Sequence, residues 1–181
     1  RVFTVNPNEL PSGKSNPKSY IYFIETESSE KLVGALVPEE NKNCLLTSLN
    51  GKGFIVDSNS LISNQKKGKK LFNLKSNDQL LTFTSKICSY IASVTKRSKL
   101  LIFKTSDLPM LKKGGGVLIQ KIKDNDQIED IQSFELKDGL IWKTGSQIRN
   151  EKNIKPWIGK RAQAGKKIPS RFNKNLKFYN E

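Results

Sequence analysis

Four short strand-like stretches, each followed by a polar turn and then one aliphatic residue, constrain this chain more than any other feature. The stretches are R-V-F-T-V from Arg1, G-F-I-V from Gly53, K-L-L-I-F from Lys99 and G-L-I-W from Gly139. The aliphatic residues that follow are Leu10, Leu61, Leu108 and Ile148, at spacings of 51, 47 and 40 positions. Strand-based repeats of this length are typical of propeller-like blades, so the sequence predicts an all-β repeat array. The polar stretches 57–63 and 105–111 each have room for one helical turn.

A loop that combines glycine with lysine or arginine follows each aliphatic residue. These basic loops are S-G-K-S (12–15, the first), N-Q-K-K-G-K-K (64–70, the second), L-K-K-G-G-G-V (111–117, the third) and R-A-Q-A-G-K-K-I (161–168, the fourth). Like charges packed into one turn repel one another unless water or an anion screens them. A solvated turn would explain one such loop, whereas four of them favour turns that hold phosphate oxygens.

The charge balance agrees with a polyanionic partner. The 181 residues contain 32 Lys and Arg against 17 Asp and Glu, which gives a net charge of +15 and a pI of about 9.8. Such an excess indicates nucleic acid or an anionic membrane surface. The basic residues concentrate in 51–75, 96–123 and 143–181, and we expect acid to lie apart from them, in two connections. The acidic residues are Glu25, Glu27, Glu30, Glu39 and Glu40 in one connection, and Asp124, Asp126, Glu129, Asp130, Glu135 and Asp138 in the other.

Composition argues against an enzyme. The chain has no histidine, which is the commonest general base and metal ligand. Its two cysteines, Cys44 and Cys88, lie far apart and lack the paired spacing of a zinc site, which leaves one disulfide or two buried thiols. We therefore expect no catalytic and no metal-binding residues. No apolar run is long enough to span a bilayer, and no membrane partner is expected.

One motif has a simpler interpretation than its letters suggest. P-S-G-K-S at 11–15 resembles the end of a phosphate-binding P-loop, but Asn8 stands where that motif needs its first glycine.

The aromatic residues in or near strands are expected in the core rather than on a base-stacking surface. They are Phe54, Phe72, Phe103, Trp142 and Trp157. The basic stretch 160–177 is expected to pack through its apolar residues Ile168, Phe172, Leu176 and Phe178.

Two stretches also carry a family resemblance. They are K-L-L-I-F-K-T-S-D-L-P-M-L-K-K-G-G-G at 99–116 and G-K-G-F-I-V-D-S-N-S-L-I-S-N-Q-K-K-G-K-K at 51–70. Both resemble the C-terminal domain of bacterial type IIA topoisomerase A subunits, and the likeness covers nearly the whole chain. The gyrase members carry a box, Q-R-R-G-G-K-G, that tight DNA wrapping requires. Here 65–70 has one glycine, and the third basic loop lacks the leading glutamine. The chain therefore resembles the topoisomerase IV members more, and the gyrase members are the alternative.

The resemblance implies a β-pinwheel, in which neighbouring blades exchange strands around an open or closed ring. We expect about four blades of mostly four-stranded antiparallel sheets, with repeats near 1–45, 46–90, 91–135 and 136–181 of a single domain. The abrupt opening on a strand pattern suggests an excised domain without catalysis or cofactor of its own. The magnesium and ATP sites of the family lie in other parts of the enzyme. The expected partners are duplex DNA, the rest of the topoisomerase A subunit and the B subunit. The expected location is the bacterial cytoplasm, near the nucleoid.

The basic loops supply the candidate DNA contacts. The first choices are Lys66, Lys67, Lys69, Lys70, Lys112, Lys113, Lys166 and Lys167, followed by Lys160, Arg161 and Arg171. The candidate turn glycines, whose amides would approach phosphates, are Gly68, Gly114, Gly115, Gly116 and Gly165. Two other interpretations stay open: a propeller that docks an acidic protein, and an RNA-binding β domain with a preference for single strands.

Overall fold

The structure is a computed structural model that describes residues 1–27, 30–39, 42–123 and 125–179, and within these residues it is all-β. Its ten strands are Asn43–Ser48 (β1), Lys52–Asp57 (β2), Leu80–Thr84 (β3), Tyr90–Thr95 (β4), Lys99–Lys104 (β5), Val117–Leu118 (β6), Ile128–Phe134 (β7), Leu140–Thr144 (β8), Gln147–Glu151 (β9) and Lys166–Lys167 (β10). The helical segments are single 3₁₀ turns at Pro7–Glu9, Tyr20–Tyr22, Ser58–Leu61, Thr105–Asp107 and Lys155–Trp157. The helical turns expected within 57–63 and 105–111 are thus confirmed.

Strand exchange links neighbouring sheets. The first sheet has the order β3-β1-β2-β6, the second has the order β10-β5-β4-β7, and β8 pairs with β9 alone. All pairings between these strands are antiparallel. β6 follows β5 in the chain yet completes the first sheet, and β10 follows β9 yet completes the second. This exchange and the four-stranded sheets confirm the predicted pinwheel. In the described residues no strand pairing closes the three sheets into a ring.

Each hairpin turns through a residue in the left-handed region of backbone conformation. Gly51 has φ +76° between β1 and β2, Ser98 has φ +59° between β4 and β5, and Gly145 has φ +60° between β8 and β9. Glycine adopts this conformation without steric cost, which explains two of the three turns. The hairpins are therefore equivalent units, one in each sheet.

Apolar clusters lie between successive sheets. One cluster joins Leu45 and Ile55 of the first sheet to Ile91 and Phe103 of the second. Another joins the second sheet to the β8–β9 hairpin and includes Trp142. The first and second sheets are each covered on both faces. For this reason β2 and β5 each contain four consecutive buried residues. The expected core aromatic residues are confirmed, since Phe54, Phe72, Phe103 and Trp142 are buried and Trp157 is half-buried against the core. Cys44 is buried, and it and Cys88 are free thiols.

The sequence pattern misplaced the first and fourth repeats. R-V-F-T-V forms only one bridge, between Val2 and Lys69, and no strand occurs in the described residues before β1. Of the four aliphatic residues, Leu61 and Leu108 are buried, whereas Leu10 and Ile148 are 51% and 55% exposed. The fourth strand stretch is not equivalent to the second and third. G-L-I-W lies in β8, the first strand of its hairpin, whereas G-F-I-V and K-L-L-I-F lie in β2 and β5, the second strands of theirs. The equivalent 3₁₀ turn is therefore Lys155–Trp157, after β9. The division into repeats at 45, 90 and 135 stays a prediction.

The C-terminal segment packs against β7 and β8. Phe172 and Phe178 are buried, and the Phe172 ring lies 4.8 Å from that of Trp142. The Phe178 N–H donates to Asp130 Oδ2 at 2.8 Å, and the Tyr179 N–H donates to Ile141 O at 2.9 Å. Ile168 and Leu176 pack on the same cluster. The expectation of a packed basic segment is confirmed.

Asp130 should make the stability depend on pH. Burial raises the pKa of its carboxyl, and the N–H groups of Phe178 and Ile131 and the charge of Lys177 offset this only in part. The folded state therefore holds the proton more tightly than the unfolded chain. The stabilisation from this group is complete below the unfolded pKa of about 3.9 and is lost as pH rises through the folded pKa.

Asp130→Asn removes this titration and keeps an oxygen that can accept from Phe178. We expect the variant to gain stability relative to the parent chain as pH increases from about 3 to 7. Urea unfolding of both proteins across this range measures the difference. A relative loss of stability with increasing pH would show that Lys177 and the N–H donors outweigh burial.

Candidate nucleic-acid interface

The second, third and fourth basic loops occupy equivalent places in successive repeats. Each follows a 3₁₀ turn and then pairs with the second strand, or strand-like segment, of the preceding repeat. Lys69 pairs with Val2, β6 pairs with β2, and β10 pairs with β5. Just before each of these pairings stands a glycine with positive φ: Gly68 at +68°, Gly116 at +65° and Gly165 at +77°. These three loops are therefore one recurring structural element. The sequence indicated four such loops, but the first, 12–15, forms no strand or bridge in the described residues and Gly13 lacks a positive φ.

These three glycines permit a close approach of two chain segments. A Cβ on Gly116 would lie 3.0–3.2 Å from the backbone of Gly53. A Cβ on Gly165 would lie 2.6 Å from Leu100 O, and one on Gly68 would lie 2.7 Å from the Phe3 ring. Their primary role is thus to let the exchanged segment reach its partner strand.

The expectation that all five candidate turn glycines offer amides to phosphates is wrong for two of them. The Gly114 N–H donates to Leu71 O at 2.9 Å, and the Gly68 N–H donates to Gln65 O at 2.9 Å. Gly114 and Gly115 do not have positive φ, so they are not turn glycines in the conformational sense. Gly114 instead forms an isolated bridge with Phe72.

In the second basic loop, Lys66, Lys67 and Lys70 are exposed and Lys69 is not free. The Lys69 ammonium donates to Ser60 O at 2.8 Å, which ties it to the preceding 3₁₀ turn. Arg1 donates from Nη1 to Lys67 O at 2.9 Å. Three of the four candidate lysines in this loop can therefore contact a polyanion without losing an internal bond.

Arg1 also brings acid beside this loop. Its guanidinium lies 3.6 Å from Glu27 Oε1 and 3.4 Å from Glu30 Oε1. Asp126 likewise contacts the basic β4–β5 turn, because the Arg97 N–H donates to its Oδ1 at 3.1 Å. The expectation that acidic connections lie apart from the basic loops is wrong at these places. Glu40 and Asp124 lie outside the described residues.

The third loop, the fourth loop and the residues that flank the fourth loop present most of their predicted cations to solvent. Lys112, Lys113, Lys160, Lys166, Lys167 and Arg171 are exposed. Arg161 is half-buried, and its guanidinium donates from Nε to Asp107 O at 3.0 Å and from Nη1 to Leu118 O. Arg161 therefore fastens the fourth loop to the Thr105–Asp107 3₁₀ turn and to β6, which is a structural role.

A group of three basic residues and one buried glutamine near the fourth loop were not predicted from the sequence. The first is Lys96, Arg97 and Lys99, which are exposed at the β4–β5 turn. The K-R-S-K stretch between two apolar strands would have identified them by the same logic that was applied to K-K-G-K-K. The second is Gln120, which is fully buried and had no recognisable pattern.

Gln120 holds the fourth loop in place. Its Nε2 donates to Ala164 O at 2.9 Å and to Lys99 O at 3.3 Å, and its Oε1 accepts from Ser93 Oγ at 2.7 Å. A buried amide with all these bonds fixes the segments it joins, because losing any partner leaves a buried polar group unsatisfied. The lysines of β10 thus project from a fixed backbone.

Other kinds of site find little support in the described residues. They contain no group of three or more His, Cys, Asp or Glu side chains that could hold a metal ion. No helix in this part of the chain is long and apolar enough to cross a membrane. The exposed cations of the recurring loops are therefore the main candidate site.

Comparisons with known proteins agree with this architecture. Residues 42–85 and 89–135 match the family described as DNA gyrase C-terminal domain, beta-propeller. The A subunit of DNA topoisomerase 4 from Rickettsia felis is 33% identical over 98% of this chain and 24% of its own length. The same protein of Caulobacter vibrioides is 28% identical over 98% of this chain and 23% of its own length. The chain thus spans about a quarter of these relatives.

Solved structures show the same fold. The E. coli ParC C-terminal domain has a TM-score of 0.81 and 20% identity, over 93% of this chain and 72% of that one. The DNA gyrase A C-terminal domain has a TM-score of 0.55 and 20% identity, over 72% of this chain and 44% of that one.

Proposed function

Since the chain belongs to the DNA gyrase C-terminal domain family of β-propeller domains, we propose that it binds duplex DNA through its basic loops, without strong sequence preference. The observation that carries this proposal is the recurrence of three loops in equivalent places, with exposed lysines in a chain of net charge +15. Lysine contacts to phosphates release counterions and do not depend on base identity. The contacts are Lys66, Lys67, Lys70, Lys112, Lys113, Lys160, Lys166, Lys167 and Arg171, while Lys69 and Arg161 support the loops.

The relatives support a role for the chain within a larger enzyme. We propose that the chain is a non-catalytic part of the topoisomerase IV A subunit, which works with the B subunit in the bacterial cytoplasm, at the nucleoid. ATP and magnesium act elsewhere in that enzyme. By holding or bending the transported duplex, this domain would favour particular DNA crossings. Because the glycine pair of the gyrase box is absent from 65–70, gyrase-like tight wrapping is the less favoured alternative.

Docking of an acidic protein is a second candidate function. The ion pairs of Arg1 with Glu27 and Glu30 show that carboxylates can lie beside the second basic loop. Direct competition separates the two functions. A labelled 30-base-pair duplex is bound to the chain and challenged with unlabelled duplex, single-stranded DNA, single-stranded RNA and poly-glutamate.

We expect unlabelled duplex to displace the labelled duplex at a lower concentration of negative charge (phosphate or carboxylate) than any other competitor. A labelled poly-glutamate chain should bind weakly, because separate carboxylates do not follow the spacing of duplex phosphates. If poly-glutamate bound more tightly than duplex, the chain would be a protein-docking module. Preference for a single strand would favour the RNA-binding interpretation.

A further inference from the structure

The pairing of β10 with β5 places two lysines directly opposite each other. Lys167 faces Lys99 in the antiparallel register, and both are exposed. Directly opposed residues in such a pair have Cβ atoms about 5 Å apart, and like charges at this distance destabilise the sheet. In the described residues neither lysine forms an ion pair. The free protein therefore keeps an unfavourable contact that a bound anion would relieve.

The β4–β5 turn adds more charge at the same place. Lys96 and Arg97 precede Ser98, whose carbonyl accepts the Ile168 N–H at 3.1 Å. The turn and β10 are thus joined by a backbone hydrogen bond. Lys96 Nζ donates to the neutral Gln127 Oε1 at 2.9 Å, so its charge is not compensated there. We define Lys96, Arg97, Lys99, Lys166 and Lys167 as the second-sheet cluster.

The equivalent place in the first sheet lacks this charge. Lys52 of β2 occupies the position of Lys99, but it faces Leu118 of β6. The turn before it contains Leu49, Asn50 and Gly51, none of which is charged. The two sheets share the same strand order, so the difference arises from side chains alone. At this position, between the hairpin turn and the exchanged strand, charge is concentrated on the second sheet.

We infer that the second-sheet cluster is a phosphate clamp on the duplex, with the opposed Lys99 and Lys167 side chains binding between them one stretch of DNA backbone. This inference rests on the proposed function and adds a location that the basic loops alone do not give. The β10–β5 edge therefore contributes to duplex binding together with the basic loops, whereas the first sheet contributes little at its equivalent position. Gln120 acts as a positioning residue, because it bonds the carbonyls of Lys99 and Ala164 on either side of the clamp.

The test compares Lys99→Gln and Lys167→Gln with Lys52→Gln, which removes the same charge at the equivalent position. Binding of the full 181-residue chain to a fluorescein-labelled 30-base-pair duplex is measured at about 0.1 M salt. We expect Lys99→Gln and Lys167→Gln each to weaken binding about eightfold, since affinity depends on salt to a power of about −0.9 for each phosphate contact. Lys52→Gln should change it less than about twofold.

Thermal unfolding supplies the second measurement. We expect Tm of the Lys99 and Lys167 variants to be equal to or higher than that of the parent chain, because repulsion is removed. Lower Tm together with weaker binding would mean a structural role and would overturn the clamp. Equal losses in all three variants would also overturn it. If the parent chain itself bound no duplex at low salt, the proposed function would fail, and the clamp with it.

Discussion

Replacing Gly165 by alanine is expected to lower the free energy of unfolding by about 2 to 4 kcal/mol. Gly165 has φ +77°, where a side chain on an L-residue strains the backbone. The added Cβ would also lie 2.6 Å from Leu100 O and 2.7 Å from Gln120 Nε2, both closer than packing allows. Either β10 moves away from β5 or Gln120 loses its bonds. The measurement is urea unfolding of the variant and the parent chain.

Gly145→Ala is the matched control. Gly145 has φ +60°, but no atom lies within 4 Å of an added Cβ. Only backbone strain applies there, which should cost about 1 kcal/mol. Equal losses of stability in the two variants would contradict the argument that close approach of β10 to β5 requires glycine. A larger loss for Gly165→Ala would support strand exchange as the element that joins neighbouring sheets.

The largest effect on binding is expected from the second basic loop. Changing Lys66, Lys67 and Lys70 together to glutamine should weaken duplex binding by about 60- to 500-fold at 0.1 M salt, which corresponds to the loss of two or three phosphate contacts. Lys69 is kept, because its ammonium bonds to Ser60 O and its removal would disturb the loop. The three changed side chains are exposed, so Tm should stay unchanged.

The control changes three exposed lysines outside the basic loops, Lys86, Lys137 and Lys152, to glutamine. Net charge falls equally in both triple variants. Screening at 0.1 M salt should limit the effect of the control triple to less than about fivefold. If both triples weakened binding to the same extent, only net charge would matter, and the second loop would not be a contact site.

The pattern of the two central repeats was sufficient to predict one central strand in each. G-F-I-V and K-L-L-I-F are hydrophobic runs bounded by turns, and they form β2 and β5 with buried centres. Strand exchange could not be read from pattern or spacing, because it pairs β6 and β10 with strands far away in the chain. It was expected only from the family resemblance. The fourth repeat was placed one strand too early, because first and second strands of a hairpin have similar apolar composition.

The candidate site was predicted at the level of loops and less well at the level of atoms. Exposed lysines were expected and found at Lys66, Lys112 and Lys166. The sequence did not show that the charged groups of Lys69 and Arg161 donate hydrogen bonds to backbone carbonyls, because these contacts depend on residues that are distant in the sequence or on their position in the fold. The opposition of Lys99 and Lys167 depends on register across an exchanged strand, which composition does not encode.

Binding of the chain to two duplexes of equal length and unrelated sequence, measured from about 50 to 300 mM salt, tests the central claim most directly. Phosphate contact through the basic loops predicts the same negative slope of log affinity against log salt for both duplexes. The slope should be about −3 or steeper, since each contact contributes about −0.9. Absence of binding at the lowest salt, or a flat slope, would contradict the claim. A marked preference for one sequence would show that base edges, rather than phosphates, are recognised.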